Sequence, residues 1–309
     1  RRQRQMCIRD SYYLGTRDAK VLAEKLPMAL IHEGVGVVMR DPSGKFAPGD
    51  RVVMVPNCPT ETDEYIGENY LRSSKFCGSS MDGFLQEYVE ISPRRLVKLP
   101  RDINMNVAAF TEIVSVAVHA ISRFDKIAHA RRDAIGVWGD GNLAYIVSLF
   151  LKKTFPDSKV YVFGLNDDKL ADFTFADGAY KTTEVPEGFT MDHAFECVGG
   201  NGSPIAIEQI IGLIKPEATL SILGVSEYPV PINTRMILEK GLRVFGSSRS
   251  GVADFEKTVQ MYQQYPEIID YLGNLISSVN VVRTTTDIKQ AFEKDTQKAF
   301  GKTIMVWQE

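Results

Sequence analysis

A chain of 309 residues with 44% hydrophobic and 24% charged content can bury a sizeable core, and its length suggests about two domains. The formal net charge of −3 gives no electrostatic reason for a nucleic-acid or anionic-membrane partner. No apolar run approaches the roughly 20 residues needed to cross a bilayer, and the longest, Ala144 to Leu151, falls far short. Cysteines at 7, 58, 77 and 197 have no CxxC spacing, which argues against a disulfide scaffold or a four-cysteine zinc lobe and for a reducing cytoplasm.

Residues 1–10 carry Arg1, Arg2, Arg4 and Arg9 in a stretch with no core-forming pattern and no apolar signal-peptide segment. The expectation is a peptide foreign to the rest, with the true N-terminus missing; a genuine basic tail is the alternative. From Leu30 to Leu99 the pattern is strand-like. Gly34 to Val38 leads into the turn Asp41-Pro42-Ser43-Gly44, Pro48-Gly49-Asp50 precedes the run Val52 to Val55, and Gly83 to Ile91 alternates again. Residues 57–82 are polar and aperiodic, which predicts a long loop or lobe.

Beyond Val107 the texture changes. Ala108 to Ile121 has helical apolar spacing, Ala134 to Trp138 is a buried-strand run, and Leu143 to Phe155 is helical. Strand-like runs follow at 159–163, 193–198 and 219–223, with a helical stretch Ile205 to Leu213 between the last two. Alternating strands and helices predict a parallel, doubly wound Rossmann sheet. The tail from about 252 reads as one long amphipathic helix, a strand, a short helix and the closing strand Lys302 to Trp307. The expected domains are a β-rich domain over 11–114, a nucleotide-binding domain over 115–250, and a return to the first over 251–309.

Between a strand and a helix lies Gly139-Asp140-Gly141-Asn142-Leu143-Ala144, a GxGxxA turn. Its first glycine permits the tight turn, its second lets backbone approach a pyrophosphate, and Ala144 allows close helix–strand packing. The helix N-terminus offers N–H groups and a positive dipole end to phosphates. These residues are therefore expected to bind a dinucleotide. At the tip of the next strand an acid would hold the ribose 2′-hydroxyl of NAD; here the strand ends at Phe163-Gly164 with Lys169 close behind. That favours NADPH, with Asp167 or Asp168 curling back as the route to NAD.

His32-Glu33 opens a strand, and Glu112 sits on an otherwise apolar helical stretch, where a buried carboxylate needs an ion or a partner. Zinc accepts mixed imidazole and carboxylate ligands with one position left open. On spacing alone, a core histidine and a capping glutamate are the commoner explanations. Of the other histidines, His119 reads as packed on its helix, His129 as exposed in a polar link, and His193 as a buried strand residue with a structural partner. Cys197 reads as a small core residue, and Cys58 and Cys77 flank the polar lobe and could lie near each other, though nothing in the sequence requires it.

From Tyr12 onward the chain resembles the zinc-dependent medium-chain dehydrogenases/reductases, on the polyol branch that carries Glu at the third ligand position. The resemblance rests on Leu30 to Gly36, Glu68-Asn69-Tyr70-Leu71, Gly136 to Leu143, Asp192 to Gly200 and Gly246 to Gly251. It implies a Rossmann domain inserted in a GroES-like catalytic domain, with zinc on His32, Glu33 and Glu112 and a proton relay through Glu33 or Glu112. The family's cysteine ligand falls near Cys7-Ile8-Arg9-Asp10, one residue out of place relative to Tyr12-Tyr13, so either Cys7 serves or the match is chance. Within the branch the resemblance points to zinc-assisted reduction of ribulose 5-phosphate to ribitol 5-phosphate by NADPH. It further implies a homodimer and a cytidylyltransferase as functional partner. Arg249, in a Gly/Ser-rich loop, is either a phosphate contact or a solvated surface side chain, and Arg17, Asn69 and Tyr70 are similar candidates for substrate contact. An NAD-dependent polyol or amino-alcohol dehydrogenase, or a non-catalytic cofactor-binding remnant, are the rival readings.

Overall fold

The computed structural model describes residues 2–4, 19–297 and 300–308. The chain divides into two units, one of residues 1–115 and 249–309, the other of residues 116–248. Among the described residues no helix is long and apolar enough to cross a membrane.

The first unit begins with β1 (Arg2–Arg4), α1 (Ala19–Lys25), β2 (Glu33–Val37), β3 (Arg51–Met54), β4 (Asn57–Cys58), β5 (Lys75–Phe76), β6 (Leu96–Lys98) and α2 (Met105–Ala108). Helix α3 (Thr111–Ile127) starts in this unit. The second unit runs β7 (Ala134–Trp138), α4 (Asn142–Thr154), β8 (Lys159–Gly164), α5 (Asp167–Ala171), β9 (Gly178–Lys181), β10 (Met191–Glu196), α6 (Ser203–Leu213), β11 (Ile214–Ile222), α7 (Thr234–Lys240) and β12 (Arg243–Gly246). The chain then returns to the first with α8 (Val252–Gln264), α9 (Glu267–Gly273), β13 (Ile276–Val282), α10 (Thr285–Gln297) and β14 (Lys302–Trp307).

In the first unit a six-stranded sheet has the order β13-β14-β1-β2-β3-β6. Its pairs are antiparallel except β13 with β14. Strand β1 pairs with both β14 and β2, so residues 2–4 join the sheet although their sequence has no core pattern. Ladder bonds are made by backbone groups and do not require apolar side chains. Cys7, Tyr12, Tyr13 and Arg17 lie outside the described residues.

Three readings of the first unit change. Gly83 to Ile91 forms no strand. The amides of Gly83, Phe84 and Leu85 go instead to the carbonyls of Ala29, Ile31 and Leu30, so this segment clamps an irregular turn. The long C-terminal helix is two helices, α8 and α9, interrupted at Pro266 where an interior helix would lose a hydrogen bond. The helix expected to be short, α10, spans 13 residues.

In the second unit six strands are all parallel, in the order β12-β11-β10-β7-β8-β9. Strand order reverses direction at β7, which has β8 on one side and β10 on the other, and ligands of doubly wound sheets bind outside the carboxyl ends at such a point. The core combines Trp138, Phe163, Ala194, Ile207, Ile210 and Leu220.

Buried polar groups lock the opposite end of β10. Asp192 accepts from Arg131, Lys215 and the Ala134 amide. Burial by itself would raise its carboxyl, but these partners hold it below the usual carboxylate range. His193 Nδ1 accepts the Thr219 amide at 3.0 Å, and its Nε2 donates to the Arg131 carbonyl at 3.0 Å. His129 is half-buried rather than exposed, because its ring packs on that of His193 with centroids 4.3 Å apart.

Burial, together with the neighbouring His129, pushes His193 from 6.5 down to about 4. The folded state therefore keeps the ring neutral while the unfolded chain takes up a proton below about 6.5. Stability is complete above that value and declines as pH falls toward 4, by up to about 3 kcal/mol. Urea unfolding of the chain at pH 7 and 4.5 is expected to show this decline. In His193→Gln the slope between those pH values should flatten, whatever the variant's absolute stability; an unchanged slope would assign the effect elsewhere.

Candidate active site

Burial brings the adjacent pair His32-Glu33 together with the distant Glu112. His32, Glu33 and Glu112 are 5%, 0% and 4% exposed, and their donor atoms lie within 4.8 Å of one another. His32 Nε2 stands 3.4 Å from Glu112 Oε2. Glu112 occupies the first turn of α3, where free amides and the helix dipole favour a carboxylate. An imidazole and two carboxylates held this closely can take a divalent cation.

The turn that delivers His32 is strained. Ile31 has φ 66° although its side chain is β-branched, an arrangement that costs about 1–3 kcal/mol. Its surroundings enforce it: Ile31 is 1% exposed, and its carbonyl accepts the Phe84 amide at 2.6 Å. Gly78 and Gly83 approach the same backbone so closely that a Cβ on either would collide with the Ile31 carbonyl oxygen.

Further contacts around the cluster are non-local, and sequence reasoning missed them. The Lys302 ammonium, buried at the start of β14, sits 3.4 Å from Glu33 Oε1. Ser115 donates to the Glu112 carbonyl at 2.6 Å and shares a 2.7 Å hydrogen bond with Ser250. Glu68, in the polar lobe, takes two 3.0 Å hydrogen bonds from Arg95 and one of 2.7 Å from the Val252 amide at the start of α8. Most of these contacts join residues far apart in the chain, so no sequence window contains both partners.

Arg249 has φ 59°, and its guanidinium lies 4.9 Å from the centre of the Phe76 ring. That ring meets His32 edge-on with centroids 5.0 Å apart. Arg249 is thus one aromatic ring away from the donor cluster. Asn69 is buried and Tyr70 exposed. Cys58 and Cys77 do meet, through a thiol–thiol hydrogen bond.

In the second unit, Gly139 follows β7 with φ 126°, and a Cβ there would stand 3.1 Å from the Cys197 carbonyl oxygen and 3.3 Å from Ala144. Only glycine suits that position. A Cβ on Gly141 meets nothing within 4 Å, so protein packing leaves the space over the start of α4 open. Asn142 and Leu143, the first residues of α4, are half-buried beside it. Glu196, fully buried at the end of β10, accepts amides from Val198, Gly199 and Gly224 and fixes the loops around Cys197.

At the tip of β8, Asp140 Oδ2 accepts the amides of Leu165 and Asn166 at 2.9 and 3.0 Å. Gly164 admits this side chain, since a Cβ there would come within 2.7 Å of the Asp140 Cβ. Lys169 Nζ stands 4.0 Å from Asp140 Oδ1. Asp167 pairs with Lys181 at 2.5 Å and Asp168 is exposed.

The alcohol dehydrogenase GroES-like domain family matches residues 4–101. Ribulose-5-phosphate reductase from Bacillus spizizenii is 55% identical over 304 residues, covering 98% of this chain and 89% of the relative. Ribulose-5-phosphate reductase 1 from Staphylococcus aureus is 50% identical over 303 residues, with the same coverage. The crystal structure of S. aureus TarJ in complex with NADPH superposes with a TM-score of 0.89 at 45% identity, covering all of this chain and 90% of that one. With identity of this order along nearly its whole length, the chain belongs to the zinc-type medium-chain dehydrogenases/reductases, among the ribulose-5-phosphate reductases.

Proposed function

We propose that this chain reduces D-ribulose 5-phosphate to D-ribitol 5-phosphate with NADPH, using zinc held by His32, Glu33 and Glu112. The observation that carries the reading is the convergence of these three buried residues in a chain 55% identical to a ribulose-5-phosphate reductase. When bound, zinc supplies Lewis-acid polarisation of the C2 carbonyl, and NADPH supplies the hydride that C2 receives.

The chain's own residues do the rest. His32 presents Nε2, and Glu112 presents Oε2 from the first turn of α3, to a common point. Lys302 balances the charge of Glu33 and limits its movement. Glu33 or Glu112 would relay a proton from solvent to the C2 oxygen as C2 takes hydride and NADPH becomes NADP+, so one C–H and one O–H bond form per turnover. Gly139, Asp140, Gly141, Asn142 and Leu143 form the pyrophosphate cradle, with the α4 amides as donors. Lys169, behind the Gly164 tip, meets the 2′-phosphate, and Asp167 is engaged by Lys181 instead of reaching for that place.

Arg249 holds the substrate phosphate. A guanidinium is suited to this task because its planar donors match phosphate oxygens two at a time. Its flat face is already oriented by Phe76.

Elemental analysis of the purified protein should find zinc near one per chain, and chelation should abolish turnover until zinc is restored. Glu112→Ala should lose zinc and lower kcat/KM by roughly a hundredfold or more; full activity without metal would overturn the assignment. In paired assays, ribulose 5-phosphate with NADPH should turn over fastest, and Lys169→Ala should raise the KM for NADPH by roughly tenfold while leaving that for NADH nearly unchanged. Faster turnover by NADH on a non-phosphorylated polyol would instead favour an NAD-dependent polyol dehydrogenase. Arg249→Ala should raise the KM for ribulose 5-phosphate by roughly ten- to a hundredfold with little change in kcat. An equal effect on non-phosphorylated ribulose would remove Arg249 from the phosphate site.

A further inference from the structure

The polar lobe holds a pair of thiols that the reduction does not use. Asn57 on β4 faces Phe76 on β5, and Cys58 faces Lys75. The Cys77 amide donates to the Pro56 carbonyl at 3.0 Å, one step further along. Cys58 and Cys77 therefore lie diagonally on one face of this two-stranded ladder, and their thiols share a hydrogen bond. Both line one cavity of about 910 Å³, together with Glu68 and Arg95. Cys58 is half-exposed to it while Cys77 is buried.

We propose that Cys58 and Cys77 are a peroxide-oxidisable dithiol, in which Cys58 attacks the oxidant, Cys77 resolves the product, and the resulting disulfide disturbs His32. The Cys77 hydrogen bond and the Arg95 guanidinium, acting against burial and Glu68, lower the Cys58 thiol to about 7, so thiolate is present at neutral pH. Cys197 has the opposite environment, since burial pushes its thiol up.

The chemistry balances with hydrogen peroxide as oxidant. The Cys58 thiolate forms an S–O bond as the O–O bond breaks, and the leaving hydroxide takes a proton to become water. The Cys77 sulfur then forms an S–S bond as that S–O bond breaks, and its thiol proton leaves in a second water. Two thiols lose two electrons and two protons, and one peroxide becomes two waters.

The consequence for the site follows from the ladder. Diagonal residues have Cβ atoms roughly 7 Å apart, whereas a disulfide holds them at about 3.8 Å. Closing the bond must draw β4 and β5 together, which strains it and keeps it easily reduced. Phe76, next to Cys77, packs on His32 and carries Arg249. Gly78, one residue beyond, touches the Ile31 backbone. Any movement of this hairpin is passed to the turn that aims His32.

The test is peroxide treatment of the purified, metal-loaded enzyme. Intact mass should fall by about 2 Da, peptide mapping should join 58 to 77, and turnover should drop roughly tenfold or more, returning with a dithiol reductant. Cys58→Ser should turn over normally and resist peroxide. Cys77→Ala should stop at a Cys58 sulfenic acid that a cyclic 1,3-dione traps; should that variant fail to fold, the Cys58→Ser comparison decides alone. Advance of Cys58 to sulfinic acid without a cross-link, or a cross-link with turnover unchanged, would overturn the proposal. Mass and mapping stand independently of the substrate assignment, so its failure and that of this pair remain distinguishable.

Discussion

Burying two carboxylates beside an imidazole is the most demanding arrangement in the first unit. Removing a charge from water costs several kcal/mol unless another charge or a set of donors replaces the solvent. The Lys302 ammonium offsets Glu33. The positive end of α3 and His32 both favour the Glu112 carboxylate. A divalent cation on the three donors would stabilise both carboxylates further. Much of the nearby structure serves this constraint. The left-handed Ile31, the close approach of Gly78 and Gly83, and the Ser115–Ser250 bond all fix donor positions that would otherwise relax apart.

How much could be read from the sequence follows from how local each feature is. The strand–glycine-turn–helix over residues 134–154 was legible because its parts are consecutive, and each glycine answers to a steric demand of its own neighbourhood. Gly139 faces a carbonyl and Ala144, while Gly141 faces open space. The parallel sheet was legible for the same reason, since its strands and helices alternate along the chain. His32 and Glu112 lie far apart in the sequence and could be joined only through a family resemblance. Lys302 gave no usable signal: a lysine opening a strand is ordinarily solvated, and its partner is on β2.

The misreadings have the same origin. The alternation over Gly83 to Ile91 is real, but register and pairing decide whether alternation becomes a strand. Here the amides of residues 83–85 are drawn to the 29–31 turn, because that turn must be held to aim His32. His129 looked exposed because its neighbours are polar, yet the buried face of His193 offers its ring a partner that no sequence window contains.

Asp140 shows how one residue can reconcile two requirements of the second unit. A carboxylate in a phosphate-binding turn is electrostatically unfavourable unless its charge is committed elsewhere. Asp140 commits it to the amides of Leu165 and Asn166, and Gly164 is the residue that leaves room for it. The same contact fixes the loop after β8, the place where doubly wound dinucleotide folds read cofactor identity, and places an acidic oxygen 4.0 Å from Lys169. The lysine is thereby held close to the strand tip instead of extending into solvent. A neutral Asn at 140 would keep an amide acceptor but remove the charge beside Lys169, so the role proposed for Lys169 would draw on a carboxylate that need not touch the nucleotide.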